Sequence, residues 1–100
     1  MAGRIVEKIQ KDLEGLIPGF MVITEREIEE LREALRVGDM KTAARIGHNL
    51  KGSALNYGFL HLGNIGRRIE SNAALKNVVK VHAELEILKD YVERVEVEFV

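Results

Sequence analysis

The chain has 100 residues, 46% hydrophobic and 31% charged, the profile of one ordinary globular domain. Its 15 Lys and Arg against 16 Asp and Glu give a formal net charge of −1, so no broad basic field exists and nucleic acid is excluded as the expected partner. There is no cysteine, which excludes disulfides and thiolate zinc sites, and no apolar run approaches the roughly 18 residues that span a bilayer.

In chain order, the first element expected is a short amphipathic helix from about Gly3 to Glu14, with Ile5, Ile9 and Leu13 at i, i+4 and i+8. Gly15 interrupts it, and Pro18 suits the first turn of a second helix, where its missing N–H removes no bond. There Ile17, Phe20, Thr24, Ile28, Leu31 and Leu35 recur at steps of three and four. Gly38 fits a left-handed C-terminal position, and Asp39 can cap the next helix by accepting from its free N–H groups. That helix runs from Met40 to about Tyr57 and stops at Gly58. Another spans about Phe59 to Ala74, with Leu62, Ile65, Ile69 and Ala73 along one side. Asn72 and Asn77 bracket the next break. The last helix is expected to carry Val78, Val81, Leu85, Leu88, Val92, Val95 and Phe99 on one seam, leaving Glu84, Glu86, Asp90, Glu93, Glu96 and Glu98 on a solvated face. Short loops make consecutive helices antiparallel neighbours. The expected fold is therefore all-α: an up-down-up-down antiparallel four-helix bundle with a short N-terminal helix, in one domain over residues 1–100.

One side chain does not fit a packing role. With His48 set to zero on a helix of about 100° per residue, Ile46, Leu50, Ala54, Tyr57 and Ala43 fall roughly 160° to 240° away, and the core must lie there. Around His48 itself sit Lys41, Arg45, Lys51 and Gly52. Glycine in a helix interior is unfavourable by roughly 1 kcal/mol relative to alanine, so a bare Gly52 beside an outward histidine suggests clearance for an approaching molecule. Gly47 points instead to the core flank, where close helix packing explains it. An imidazole, nearby cations and a clearance on one patch suit a transferable phosphoryl group, whose charge the cations would balance. Leu55 and Asn56 lie on the same patch, and with Arg45 they are the expected partner-binding residues. His61 and His82 match no ligand spacing with His48, no metal set is formed, and Ser53, Ser71 and Thr42 lack a hydrolase-like base and orienter.

The stretch HNLKGSALNYG, His48 to Gly58, resembles the signature of histidine-containing phosphotransfer (HPt) domains: a histidine, a basic residue three on, glycine, then a small residue. LIPGF (Leu16–Phe20), LREALRVGD (Leu31–Asp39) and GFLHLGNIGRRIE (Gly58–Glu70) are similar to bacterial members, so the resemblance covers about residues 12 to 75. It implies a four-helix bundle that takes phosphate from an aspartyl phosphate on a response-regulator receiver domain and hands it on, without an ATP site or cofactor. It also implies roles. His48 would be the phosphoacceptor, Lys51 would support the phosphoryl group, Gly52 would give clearance, and Ser53 occupies the small-residue position. Glu70 would accept from the inner ring nitrogen; Ile69 stands before it where the family usually has leucine. A pairing of Glu70 with Arg67 one turn back remains equally open from the residues alone. The partners so implied are receiver domains and a hybrid sensor histidine kinase, the state monomeric, and the place the cytoplasm, as the charged MAGRIVEKIQKD start also suggests. Two other readings stand beside this one: a helical adaptor that binds receivers without being phosphorylated, and the phosphoacceptor module of a chemotaxis-type kinase.

Overall fold

The computed structural model describes residues 3–100. Strand β1, Ile5–Ile9, leads through a 3-10 turn, Lys11–Leu16, into four helices: α1 Ile17–Arg36, α2 Met40–Tyr57, α3 Leu60–Ala74 and α4 Val78–Arg94. Strand β2, Val95–Phe99, follows. The helices form the antiparallel bundle that the apolar spacing predicts. Ile28, Leu31, Ile46, Leu50, Leu62, Ile69, Val81 and Leu88 are buried between them.

Local chemistry fixes the helix boundaries as anticipated. Pro18 sits in the first turn of α1. Gly38 and Gly58 both have positive φ, 73° and 91°, a conformation that glycine adopts without a Cβ penalty. Asp39 caps α2 through both carboxylate oxygens, one accepting from the Thr42 amide at 3.0 Å and the other from its hydroxyl at 2.6 Å. Asn77 does the same for α4, accepting from the Lys80 amide at 3.2 Å.

Three expectations are corrected. The first concerns the short N-terminal helix: residues 5–9 form a strand instead, and only the following six adopt a 3-10 turn. The second concerns the last helix, which ends at Arg94 rather than reaching Phe99. The two terminal segments pair in parallel, Ile5 opposite Val95 through Ile9 opposite Phe99. IVEKI and VEVEF each satisfy an i, i+4 spacing, but VEVEF also alternates, and the β-branched residues of both favour the pleat once a partner strand is present. Positions 5, 7, 9, 95, 97 and 99 then turn inward, while Lys8, Glu96 and Glu98 face solvent. An even number of helices returns the chain to the end of the bundle where it entered, so the strand after α4 can reach the strand before α1.

The third correction concerns Glu84, expected on a solvated face but only 8% exposed. Arg68 of α3 donates to it at 2.8 Å, and the paired guanidinium makes its burial tolerable. Glu7 is more deeply buried still, at 2% exposure. Its carboxylate accepts from the His61 and Leu62 amides, at 3.2 and 3.1 Å, and from the Tyr91 hydroxyl at 2.7 Å. A residue of β1 thus caps α3, whose own first residues offer no side-chain cap.

Candidate functional site

The site is built on α2 and α3. Ala43, Ile46, Leu50 and Ala54 are buried on α2, so the helix period turns His48 outward, and its side chain is 64% exposed. Across the groove, α3 buries Leu62, Ile65, Ile69 and Ala73, which leaves Glu70 at the seam between the two helices. One Glu70 oxygen lies 2.9 Å from His48 Nδ1 and the other accepts from Lys51 Nζ at 2.9 Å. The carboxylate therefore bridges the two α2 residues. Arg67 lies outside this arrangement, which decides between the two pairings open to Glu70.

The electrostatics assign the proton. The hydrogen bond from Lys51, above all, together with the bond to His48, outweighs partial burial and holds the Glu70 carboxyl below the usual glutamate range. At neutral pH Glu70 is ionised and can only accept, so Nδ1 must carry the hydrogen between them. For a neutral ring, that leaves the Nε2 lone pair free on the exposed edge. The imidazole is thus held in one tautomer, with a nucleophilic nitrogen facing outward.

Of the three expected cations, two already face a carboxylate. Lys51 bonds Glu70, and Arg45, on the other flank, lies 4.0 Å from Glu30 of α1. Glu27 joins that flank; burial above all, with repulsion from Glu30, pushes its carboxyl up against the opposing pull of Arg45. The patch around His48 is mixed in charge rather than cationic.

Gly52 is exposed, and a Cβ placed there would meet nothing within 4 Å. The space beside the ring is open, and no helix crossing demands this glycine. Ser53 is partly buried about 140° round the helix from His48 and stays outside the hydrogen-bonded set of His48, Lys51 and Glu70. Leu55 is half-exposed, with its side chain resting over the bare Cα of Gly63. Leu55 and Asn56 line a groove of about 470 Å³ with Leu13, Tyr57 and Leu60.

Helix α1 places one exposed apolar side chain beside α2. Phe20 packs at a tilt against Tyr57 with ring centroids 4.8 Å apart, and Glu30 faces Arg45, so α1 runs antiparallel beside α2. Between those two points, on the stripe of Phe20, Glu27 and Glu30, lies Ile23, which is 52% exposed. The stripe brings it level with Gly52. The signal was an isoleucine off the α1 apolar seam, and it became meaningful only once the pairing of α1 with α2 was known.

Among the described residues, no helix is long and apolar enough to cross a membrane. A model of the family described as Hpt domain matches residues 20–98, from the first turn of α1 into β2. No curated protein and no solved structure matches the chain.

Proposed function

The chain belongs to the Hpt domain family, a histidine-containing phosphotransfer module of a phosphorelay, and on that premise we propose that His48 is its phosphoacceptor. The observation that carries this reading is the fixed ring: Nδ1 is engaged by Glu70 at 2.9 Å while the rest of the imidazole stands in solvent. A nucleophile whose base-side nitrogen is held by an orienting carboxylate is ready to attack through the other nitrogen.

The step balances simply. The Nε2 lone pair attacks the phosphorus of an aspartyl phosphate on a receiver domain. The N–P bond forms as the P–O bond to the aspartate breaks, and the carboxylate leaves with the electron pair. The ring then carries a hydrogen on Nδ1 and phosphorus on Nε2, and its positive charge is balanced by Glu70. Lys51, one turn from His48, supplies a cation for the phosphoryl oxygens, and Gly52 leaves room for the donor's backbone. Reversal onto a second receiver passes the group on. The chain serves here as carrier rather than kinase. Arg45, Leu55 and Asn56 form the docking face with Ile23, an apolar pair flanking the glycine and rimmed by charge. Ser53 serves as the small residue that keeps the flank of α2 narrow.

Incubation with a phosphorylated receiver should label the chain with an acid-labile, base-stable phosphate, as a phosphoramidate would be. His48→Gln should abolish the label and keep the helical circular dichroism, because the side chain faces solvent. Labelling that survives this substitution refutes the assignment. A receiver that binds without transferring phosphate indicates an adaptor, and labelling that requires ATP and a kinase domain indicates a kinase module.

A further inference from the structure

Gly47 lies one residue before His48, and the backbone of α3 rests directly on it. A Cβ at Gly47 would stand 2.5 Å from the Glu70 amide nitrogen, 2.8 Å from the Gly66 carbonyl oxygen and 2.9 Å from Ile69 Cγ2. The converse holds at Gly66, where a Cβ would stand 2.6 Å from the Lys51 amide nitrogen and 2.9 Å from the Gly47 carbonyl oxygen. Real Cβ atoms essentially never come within 3.0 Å of such neighbours. The two nearest opposing atoms at each glycine are backbone, so neither clash is relieved by a side-chain rotation. The two helices touch main chain to main chain, and they do so at Glu70 and Lys51. The other glycines differ. Gly63 faces the flexible end of Leu55, and Gly52 faces open space.

We propose that Gly47 and Gly66 are positioning residues of the phosphoacceptor: their backbone contact sets the α2–α3 distance at which Glu70 locks the His48 tautomer. The inference rests on the reading of His48 as acceptor and specifies what tunes it. Relieving the Gly47 clash to an ordinary contact of 3.4 Å parts the helices by about 0.9 Å. Glu70 reaches back to two α2 side chains at once, both at 2.9 Å, so a shift of that size stretches both bonds beyond useful length. The ring then samples both tautomers, and the nucleophilic nitrogen faces outward only part of the time.

The test reads the imidazole of the full chain directly, by long-range proton–nitrogen NMR at a pH where the ring is neutral. The wild type should show one protonated nitrogen, Nδ1, and one unprotonated, Nε2. Gly47→Ala should move both shifts toward the tautomeric average. Phosphoryl transfer from a receiver should slow by about tenfold to a hundredfold, in the transfer step rather than in receiver affinity. In a Glu70→Ala background, Gly47→Ala should add no further slowing. Gly63→Ala, a clash against the flexible Leu55 side chain of α2 rather than against backbone, should leave the tautomer as in the wild type. If Gly47→Ala does not fold, Glu70→Asp shortens the carboxylate arm with the glycine contact intact, and it should reproduce the averaged ring. A wild-type tautomer and rate in Gly47→Ala, or in Glu70→Asp, would overturn the proposal. The spectrum needs no phosphate, so a wild-type chain that is never phosphorylated overturns the acceptor reading while the tautomer still decides the positioning.

Discussion

Tyr91→Phe tests the buried carboxylate that ties the terminal strands to the bundle. Glu7 has three donors, and the hydroxyl of Tyr91 is the shortest at 2.7 Å, against 3.1 and 3.2 Å for the two α3 amides. Both residues are essentially inaccessible to water, at 2% and 1% exposure. The substitution keeps the ring and its packing and removes one charge-assisted hydrogen bond, leaving Glu7 with two amides and no solvent to replace the third. A loss of about 1.5–3 kcal/mol is expected. In a chain of this length that lowers the thermal midpoint by roughly 4–8 °C per kcal/mol. Urea unfolding followed by far-UV circular dichroism measures it. Glu7→Ala strands the Tyr91 hydroxyl and two helix amides, so in the double variant the two losses should fall short of additivity by about 1 kcal/mol or more. The alkaline limb gives a second reading. Burial above all, then the bond to Glu7, raises the Tyr91 hydroxyl above the ordinary tyrosine value. Its contribution is therefore complete below about pH 10, where an unfolded tyrosine begins to ionise, and declines above it. Tyr91→Phe should lack this component of the decline. A Tyr91→Phe variant within about 0.5 kcal/mol of the wild type, with additive losses in the cycle, refutes the network.

Three further outcomes follow from the site. Gly52→Gln should hold or gain stability by up to roughly 1 kcal/mol in urea unfolding, since nothing opposes a side chain there, yet phosphoryl transfer should slow because the approach to His48 is covered. Because Lys51 depresses the Glu70 carboxyl, the Glu70 contribution to stability is present above the usual glutamate range and is lost as pH falls through the lower folded-state value. Carbon NMR titration should show Lys51→Ala moving that carboxyl back up, and an unmoved titration excludes the ion pair. Leu55→Ala and Ile23→Ala should each weaken receiver binding by about 1 kcal/mol or more without unfolding the chain, as measured by calorimetry. Unchanged affinity in both, with amide shifts confined to α4, places the docking face elsewhere.

The helices and the outward histidine were legible in the sequence because both are local. Apolar spacing along α1 to α4 reports which side of each helix leaves water, and Pro18, Gly38, Asp39 and Gly58 mark the ends by backbone and capping chemistry that involves only near neighbours. The same periodicity turned His48 away from Ile46 and Leu50, and the open space at Gly52 agrees with it. Glu70 was legible only through resemblance, since 22 residues separate it from His48 and its choice between Arg67 and the histidine depends on where α3 lies against α2. Packing decided that choice, through two glycines whose backbones touch. Packing also decided the termini. IVEKI and VEVEF both carry the i, i+4 spacing of a helix together with the β-branched residues of a strand, and the pairing of segments some 90 residues apart selected the strand. Glu84, expected on a solvated face, is buried with Glu7 because donors from other elements, Arg68 for the one and Tyr91 with two α3 amides for the other, reach them in the folded chain. A side chain's direction along its own helix is fixed by the backbone repeat, whereas its partner across a groove is fixed by how closely two helices can approach. Here that distance is set by atoms that Gly47 and Gly66 lack.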